Sequence, residues 1–206
     1  MVLSDSRQFI FLHIPRTAGI SVQLALRPWN DARDLDFSRA KWEPGYPHYT
    51  GSEIREFMGE DRFSRYFKFA FVRNPWERIV SRYFYLKQFN TAPERLRNAR
   101  GYLPPGNLTF LDWLKGRSPA CIHPLDLRPQ SEWLVVNGRN CADHIGRFER
   151  LAEEFLLICR KIGIVPNLSR TNVSEHNDYR SYYDAEAQAM VGSIFRSDVE
   201  TWGYEF

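Results

Sequence analysis

Short apolar runs of strand length alternate with stretches of helical periodicity along this chain. Phe9-Ile-Phe-Leu-His-Ile14 is mostly apolar and breaks at Pro15. A run this short, bounded by a breaker, reads as a buried strand. Small and hydroxylated residues follow, and then Val22-Gln-Leu-Ala-Leu26 has helical apolar spacing. Residues 27–51 are irregular, with Pro28, Pro44, Gly45 and Pro47. Residues 53–58 read as a short helix with Ser52 as its cap. Lys68-Phe-Ala-Phe-Val72 is a second strand. Asn74 is a good N-cap, Pro75 suits the first helical position, and Glu77 stands where a carboxylate reaches back to the cap. That helix is expected to run to about Phe89.

Residues 91–107, rich in Arg, Pro and Gly, read as a surface loop. Residues 109–115 and 129–136 read as short amphipathic helices, with Gln130 near the start of the second. Residues 141–148 are expected to be extended. Residues 150–162 have apolar positions at Leu151, Phe155, Ile158 and Ile162, which is helical spacing, and Gly163 is the stop. Asp184 caps a last helix to about Phe195. The alternation predicts one α/β domain over residues 1–206, a mainly parallel central sheet flanked by helices.

The first strand–turn–helix unit has the makings of an anion site. Backbone N–H groups point out of the first helical turn, and the helix dipole adds partial positive charge. Arg16, Thr17 and Ser21 add side-chain donors, and Gly19 allows a ligand close to the backbone. The loop is not a Walker A sequence: it has one Gly and no Lys. On its own it is equally an ordinary turn whose Thr or Ser caps a helix. The second unit repeats the arrangement, with Arg73 at the strand's C-terminal end. Ligands of open α/β sheets bind at that edge. Two cationic helix entries point to a ligand with two separate anionic ends.

Phe11-Leu-His-Ile-Pro-Arg-Thr-Ala-Gly-Ile-Ser21 resembles the 5′-phosphosulfate loop of sulfotransferases that use 3′-phosphoadenosine 5′-phosphosulfate (PAPS). The branch is the one similar to heparan sulfate 2-O-sulfotransferases and related bacterial enzymes. Phe71-Val-Arg-Asn-Pro-Trp-Glu-Arg-Ile-Val-Ser81 is similar to that family's 3′-phosphate motif, with its Arg and Ser at Arg73 and Ser81. The resemblance continues through Gly146-Arg-Phe-Glu149, Tyr179-Arg-Ser-Tyr-Tyr-Asp184 and Asp198-Val-Glu-Thr-Trp-Gly-Tyr-Glu-Phe206. It implies a P-loop-like fold. Pro15, Arg16, Thr17, Ala18, Gly19, Ile20 and Ser21 would hold the 5′-phosphosulfate, and Arg73 with Ser81 the 3′-phosphate. PAPS is then the donor and PAP the product, with no metal.

Two positions depart from the family: Arg16 stands for its usual Lys and Ile20 for its Thr. Arg stays charged and is a poor proton donor, so Arg16 is expected to stabilise charge only. The acceptor hydroxyl needs a base. His48, in Tyr46-Pro-His-Tyr-Thr50, matches the position of the catalytic His in this branch, and imidazole suits base catalysis at neutral pH. His13 reads as structural, orienting the loop through a hydrogen bond, and His123 as a possible acceptor contact. Gln130 and Arg147 would face the acceptor or brace the sheet edge. Asn172-Val-Ser174 with Arg180 corresponds to a loop that closes over the donor in relatives. Tyr179, Tyr182 and Tyr183 fit packing better than adenine stacking.

Composition narrows the picture little. Of the 206 residues 43% are hydrophobic, and the net charge of +3 does not argue for nucleic acid. Between Arg62 and Arg100, however, ten Lys or Arg stand against two acids, which suits a polyanionic small molecule. Cys121, Cys141 and Cys159 have no metal-ligand spacing and favour a reducing compartment. No signal peptide or membrane-spanning stretch is apparent. A cytoplasmic enzyme sulfating a hydroxyl of a carbohydrate or glycosylated small molecule is the leading expectation. A nucleotide-dependent kinase and a silent PAP- or glycan-binding module are the alternatives. Oligomeric state is left open.

Overall fold

A computed structural model describes residues 1–31, 48–88, 90, 105–116, 127–168 and 176–206. In chain order the elements are β1 (Val2–Ser4), β2 (Phe9–Leu12), α1 (Gly19–Leu26), α2 (Gly51–Met58), α3 (Glu60–Arg65), β3 (Phe67–Val72), α4 (Pro75–Lys87) and α5 (Phe110–Leu114). A 3-10 turn at Gln130–Leu134 leads to β4 (Val135–Val136), β5 (Arg139–Asn140) and β6 (His144–Arg147). Then come α6 (Leu151–Ile162), α7 (Ala185–Ile194) and α8 (Arg196–Trp202). The chain divides into two compact units, Met1–Arg73 with Gln130–Asn172, and Asn74–Pro129 with Val173–Phe206.

The first unit holds a four-stranded sheet in the order β1-β2-β3-β6. β1 runs antiparallel to β2, while β2–β3 and β3–β6 are parallel. Parallel strands are covered on both faces, which is why β2 is buried at every residue. Phe9, Phe11, Phe69 and Phe71 pack with Val22 and Leu26 of α1 and with Phe155, Ile158, Cys159 and Ile162 of α6. The apolar spacing of α6 therefore faces the sheet, and Gly163 ends it in the left-handed conformation, φ 68°. Lys68 interrupts the apolar run of β3 yet is buried. Its ammonium donates to the carbonyls of Phe63 and Tyr66 and pairs with Asp143.

The register decides what meets at the sheet's C-terminal edge. Leu12 pairs with Ala70, and Val72 with Arg147. The residues just past each strand, His13, Arg73 and Phe148, therefore emerge on one edge. Gly146 is fixed by packing: a Cβ there would lie 2.6 Å from the Phe71 ring.

Several boundaries differ from the sequence reading. The cap of α2 is Thr50 in a capping box with Glu53, whereas the Ser52 hydroxyl donates to Val135 O. Within residues 129–136 the helix is of the 3-10 kind and covers only Gln130–Leu134, and Val135–Val136 are extended. Asn137 and Gly138 both have positive φ (50° and 75°) and turn β4 into β5 as a hairpin. An Asn-Gly pair between extended residues is the signal for that turn.

In the second unit Asn74 caps α4 through Trp76 N–H and Glu77 N–H, as expected, and the helix closes at Lys87. Thr109 caps α5 and Asp184 caps α7. Tyr182 and Tyr183 pack on Phe110, and Tyr179 on Phe206.

Candidate active site

The loop after β2 is built from backbone geometry more than from side chains. Arg16 and Ala18 have positive φ, 67° and 64°, and Thr17 between them does not. Each such non-Gly residue costs on the order of 1–3 kcal/mol and persists where surrounding structure holds it. The step from left-handed Ala18 into the right-handed helix at Gly19 turns successive N–H groups into one concavity, a form suited to an anion. The Thr17 hydroxyl donates to Ile14 O at 3.0 Å, so its proton braces the turn. α1 begins at Gly19 with no side-chain cap and no acidic residue in its first turn. By contrast α2, α4, α5 and α7 are each capped by a side chain. The first turn of α1 is therefore electropositive.

Of the other loop residues, Pro15 is buried, Arg16 and Ala18 are half-buried, and Ile20 is exposed. Ser21 is only 4% exposed. Gly19 has a specific packing reason. A Cβ there would lie 1.7 Å from the imidazole of His13, so the ring occupies the place of a side chain.

His13 itself is buried, and its ring stacks near Phe11. Its Nδ1 has no hydrogen-bond partner among the described residues. Burial holds its pKa well below 6.5, with the neighbouring His48, the terminal amine and Arg16 adding to the effect. The sequence reading had this ring orient the loop through a hydrogen bond. The ring instead acts by filling space over Gly19, and the hydrogen-bonding group is its main-chain carbonyl. That carbonyl accepts from Nδ1–H of His48 at 2.9 Å. The two imidazoles meet edge to face, 4.3 Å between centroids, and Trp133 approaches His48 from another side. Because a carbonyl can only accept, Nδ1 carries the proton in neutral His48, and Nε2 is the basic nitrogen.

Arg73 is 6% exposed at the end of β3. Its guanidinium lies 3.9 Å from the centre of the Phe148 ring, and Nη1 donates to Arg16 O at 3.3 Å. Its main chain is held by Gln130: Arg73 N–H donates to Oε1 at 2.9 Å, and Nε2 donates to Arg73 O at 2.8 Å. Thus Arg16, Gly19, His13, His48 and Arg73 are linked within the first unit. Ser81 is fully buried on α4 of the second unit.

Of the two roles read for Gln130, facing the acceptor or bracing the sheet edge, its bonds to Arg73 at the end of β3 match the brace. The sequence reading missed the Phe148 ring beneath Arg73, for which no local signal exists. Arg147 is exposed at the end of β6. His144 meets Glu154 at 2.9 Å, and His176 stacks on Phe84. Arg180 lies over the Tyr179 ring. His123 and Asn172–Ser174 fall outside the described residues. Among the described residues no three His, Cys, Asp or Glu gather into a possible metal site, and no helix is long and apolar enough to cross a membrane.

The model of the sulfotransferase family matches residues 1–205. The chain belongs to the sulfotransferase family. This sulfotransferase is also similar to an uncharacterized protein of Archaeoglobus fulgidus, at 32% identity over 128 residues, 62% of this chain and 93% of that protein. Among solved structures it is similar to the crystal structure of mouse sulfotransferase SULT7A1 complexed with PAP. Identity there is 13%, with 98% of this chain and 87% of that chain covered and a TM-score of 0.46.

Proposed function

We propose that this sulfotransferase moves the sulfuryl group of PAPS to a hydroxyl of a carbohydrate or glycosylated small molecule, with His48 as the base. The observation that carries this reading is the hydrogen bond from His48 Nδ1 to the carbonyl of His13, at the mouth of the phosphate loop. It holds an imidazole beside the strand that leads into residues 15–21, with its basic nitrogen defined.

In this reading the turn of residues 15–21 receives the 5′-phosphosulfate. The acceptor oxygen attacks sulfur in line. A new sulfur–oxygen bond forms as the bond to the 5′-phosphate breaks, and its electron pair leaves with PAP. The acceptor proton passes to His48 Nε2. Charge growing on the departing phosphate is met by backbone N–H groups and by Arg16, which stabilises without transferring a proton. Arg73 takes the 3′-phosphate. A reducing, cytoplasmic setting accords with free thiols at Cys141 and Cys159.

Turnover with labelled PAPS against a panel of hydroxyl acceptors tests the reaction, and thermal shifts with PAP, ATP and ATP plus Mg²⁺ test the donor class. Stabilisation by PAP together with sulfated product is expected. Stabilisation by ATP plus Mg²⁺ alone would indicate a kinase. PAP binding without turnover on any acceptor would indicate a binding module.

A further inference from the structure

Gln130 is fully buried, at 0% exposure. It starts a 3-10 turn 57 residues away in sequence from Arg73. Its side-chain amide makes two opposed hydrogen bonds to one residue, accepting from Arg73 N–H and donating to Arg73 O. This is the pairing that a neighbouring strand would offer, supplied by a side chain. β6 pairs with β3 only as far as Val72, opposite Arg147, so the sheet no longer serves the next peptide. Without Gln130 the Arg73 main chain would lose both of these buried hydrogen bonds, a loss that is costly away from water.

The side chain of the same Arg73 is held at two further points, the face of Phe148 and the carbonyl of Arg16. An arginine has several rotatable bonds, and fixing them before a ligand arrives removes an entropy cost from binding. We infer that Gln130 is a positioning residue for the donor: it clamps the Arg73 main chain so that the guanidinium stands ready beside the phosphate loop. The inference rests on the proposed role of Arg73 in binding PAPS.

The test is calorimetric titration of PAP into the wild type, Gln130→Met, Arg73→Ala and the double variant, at a temperature where all are folded. Gln130→Met keeps the volume and removes both hydrogen bonds. PAP binding to it is expected to weaken about threefold to tenfold, with KM for PAPS rising more than kcat falls. A residue that served stability alone would lower the melting temperature and leave the PAP affinity of the folded protein unchanged. In the Arg73→Ala background, Gln130→Met is expected to weaken PAP no further, because its effect runs through Arg73.

If Gln130→Met does not fold, Gln130→Asn carries the same comparison. It is polar but one methylene too short to meet both groups. Wild-type PAP affinity in a folded Gln130 variant, with Arg73→Ala impaired, overturns the inference. Wild-type affinity in Arg73→Ala instead overturns the assignment of Arg73 to the donor. Additive losses in the double variant would show that Gln130 acts by another route.

Discussion

The Nδ1–H of His48 donates to the carbonyl of His13 across 35 residues of sequence, at 2.9 Å. One bond thus ties the proposed base to the strand that leads into the proposed phosphate loop and fixes which nitrogen is basic. The two functions of the ring can be separated by substitution. Asn places an N–H near the position of Nδ1 and has no base. His48→Asn is therefore expected to keep the fold and PAP affinity while losing about 10²–10⁴-fold in kcat, as His48→Ala does. The wild-type rate should fall at acid pH as imidazole protonates, and both variants should lack that limb. Nitrogen NMR should find the Nδ1–H tautomer at His48. Near-normal kcat in His48→Ala with an unchanged acid limb would place the base elsewhere.

Gly19 and His13 share one space. Gly19→Ala puts a methyl 1.7 Å from the imidazole, so the ring must move. Overpacking of this kind costs about 1–3 kcal/mol, and a lower midpoint of denaturant unfolding is expected. The double variant with His13→Ala should recover part of that loss, because the clashing ring is gone. Strict additivity of the two substitutions would contradict the contact.

Stability should depend on pH through His13. Its folded pKa lies well below 6.5, chiefly from burial, so below 6.5 the unfolded chain takes up a proton that the folded protein refuses. Stability is full above 6.5 and is lost as pH falls toward the folded value, by up to about 1.4 kcal/mol per pH unit. The Met1 amine acts in the same direction, since burial lowers it from 8.0 to about 5. The lowered carboxylates of Asp5 and Asp31 start from 3.8 and act at more acid pH. Denaturant melts from pH 8 to 5 should show a shallower decline for His13→Leu than for the wild type. Equal slopes would mean that His13 takes a proton in the folded state.

Arg16 is expected to act on charge rather than on proton transfer. Arg16→Ala should lose kcat more than PAP affinity. Arg16→Lys should keep or raise activity, since a lysine ammonium supplies the same charge. Turnover of Arg16→Ala close to wild type would remove this residue from the mechanism.

The local features of the chain were readable from its residues in order. The apolar runs of β2 and β3, the Asn74 and Asp184 caps, the apolar stripe of α6 and its Gly163 stop all depend on groups within about one turn of one another. The turn after β2 could be read as a candidate anion site for the same reason, because a helix start exposes its own N–H groups. The hairpin at Asn137-Gly138 was equally local, and its signal was present but masked by the apolar residues before it.

Only the tertiary structure decided the rest, because those relationships depend on sheet register and on what burial leaves unsatisfied. Parallel pairing of β2, β3 and β6 brings His13, Arg73 and Phe148 to one edge. Nothing within a few residues of Gln130 or His48 says which carbonyl or peptide each will meet, since their partners arrive from 57 and 35 residues away. Gly19 shows the difference most plainly. Its sequence context allows the reading of a backbone left open for a ligand, whereas in the fold the space of its missing side chain is filled by His13.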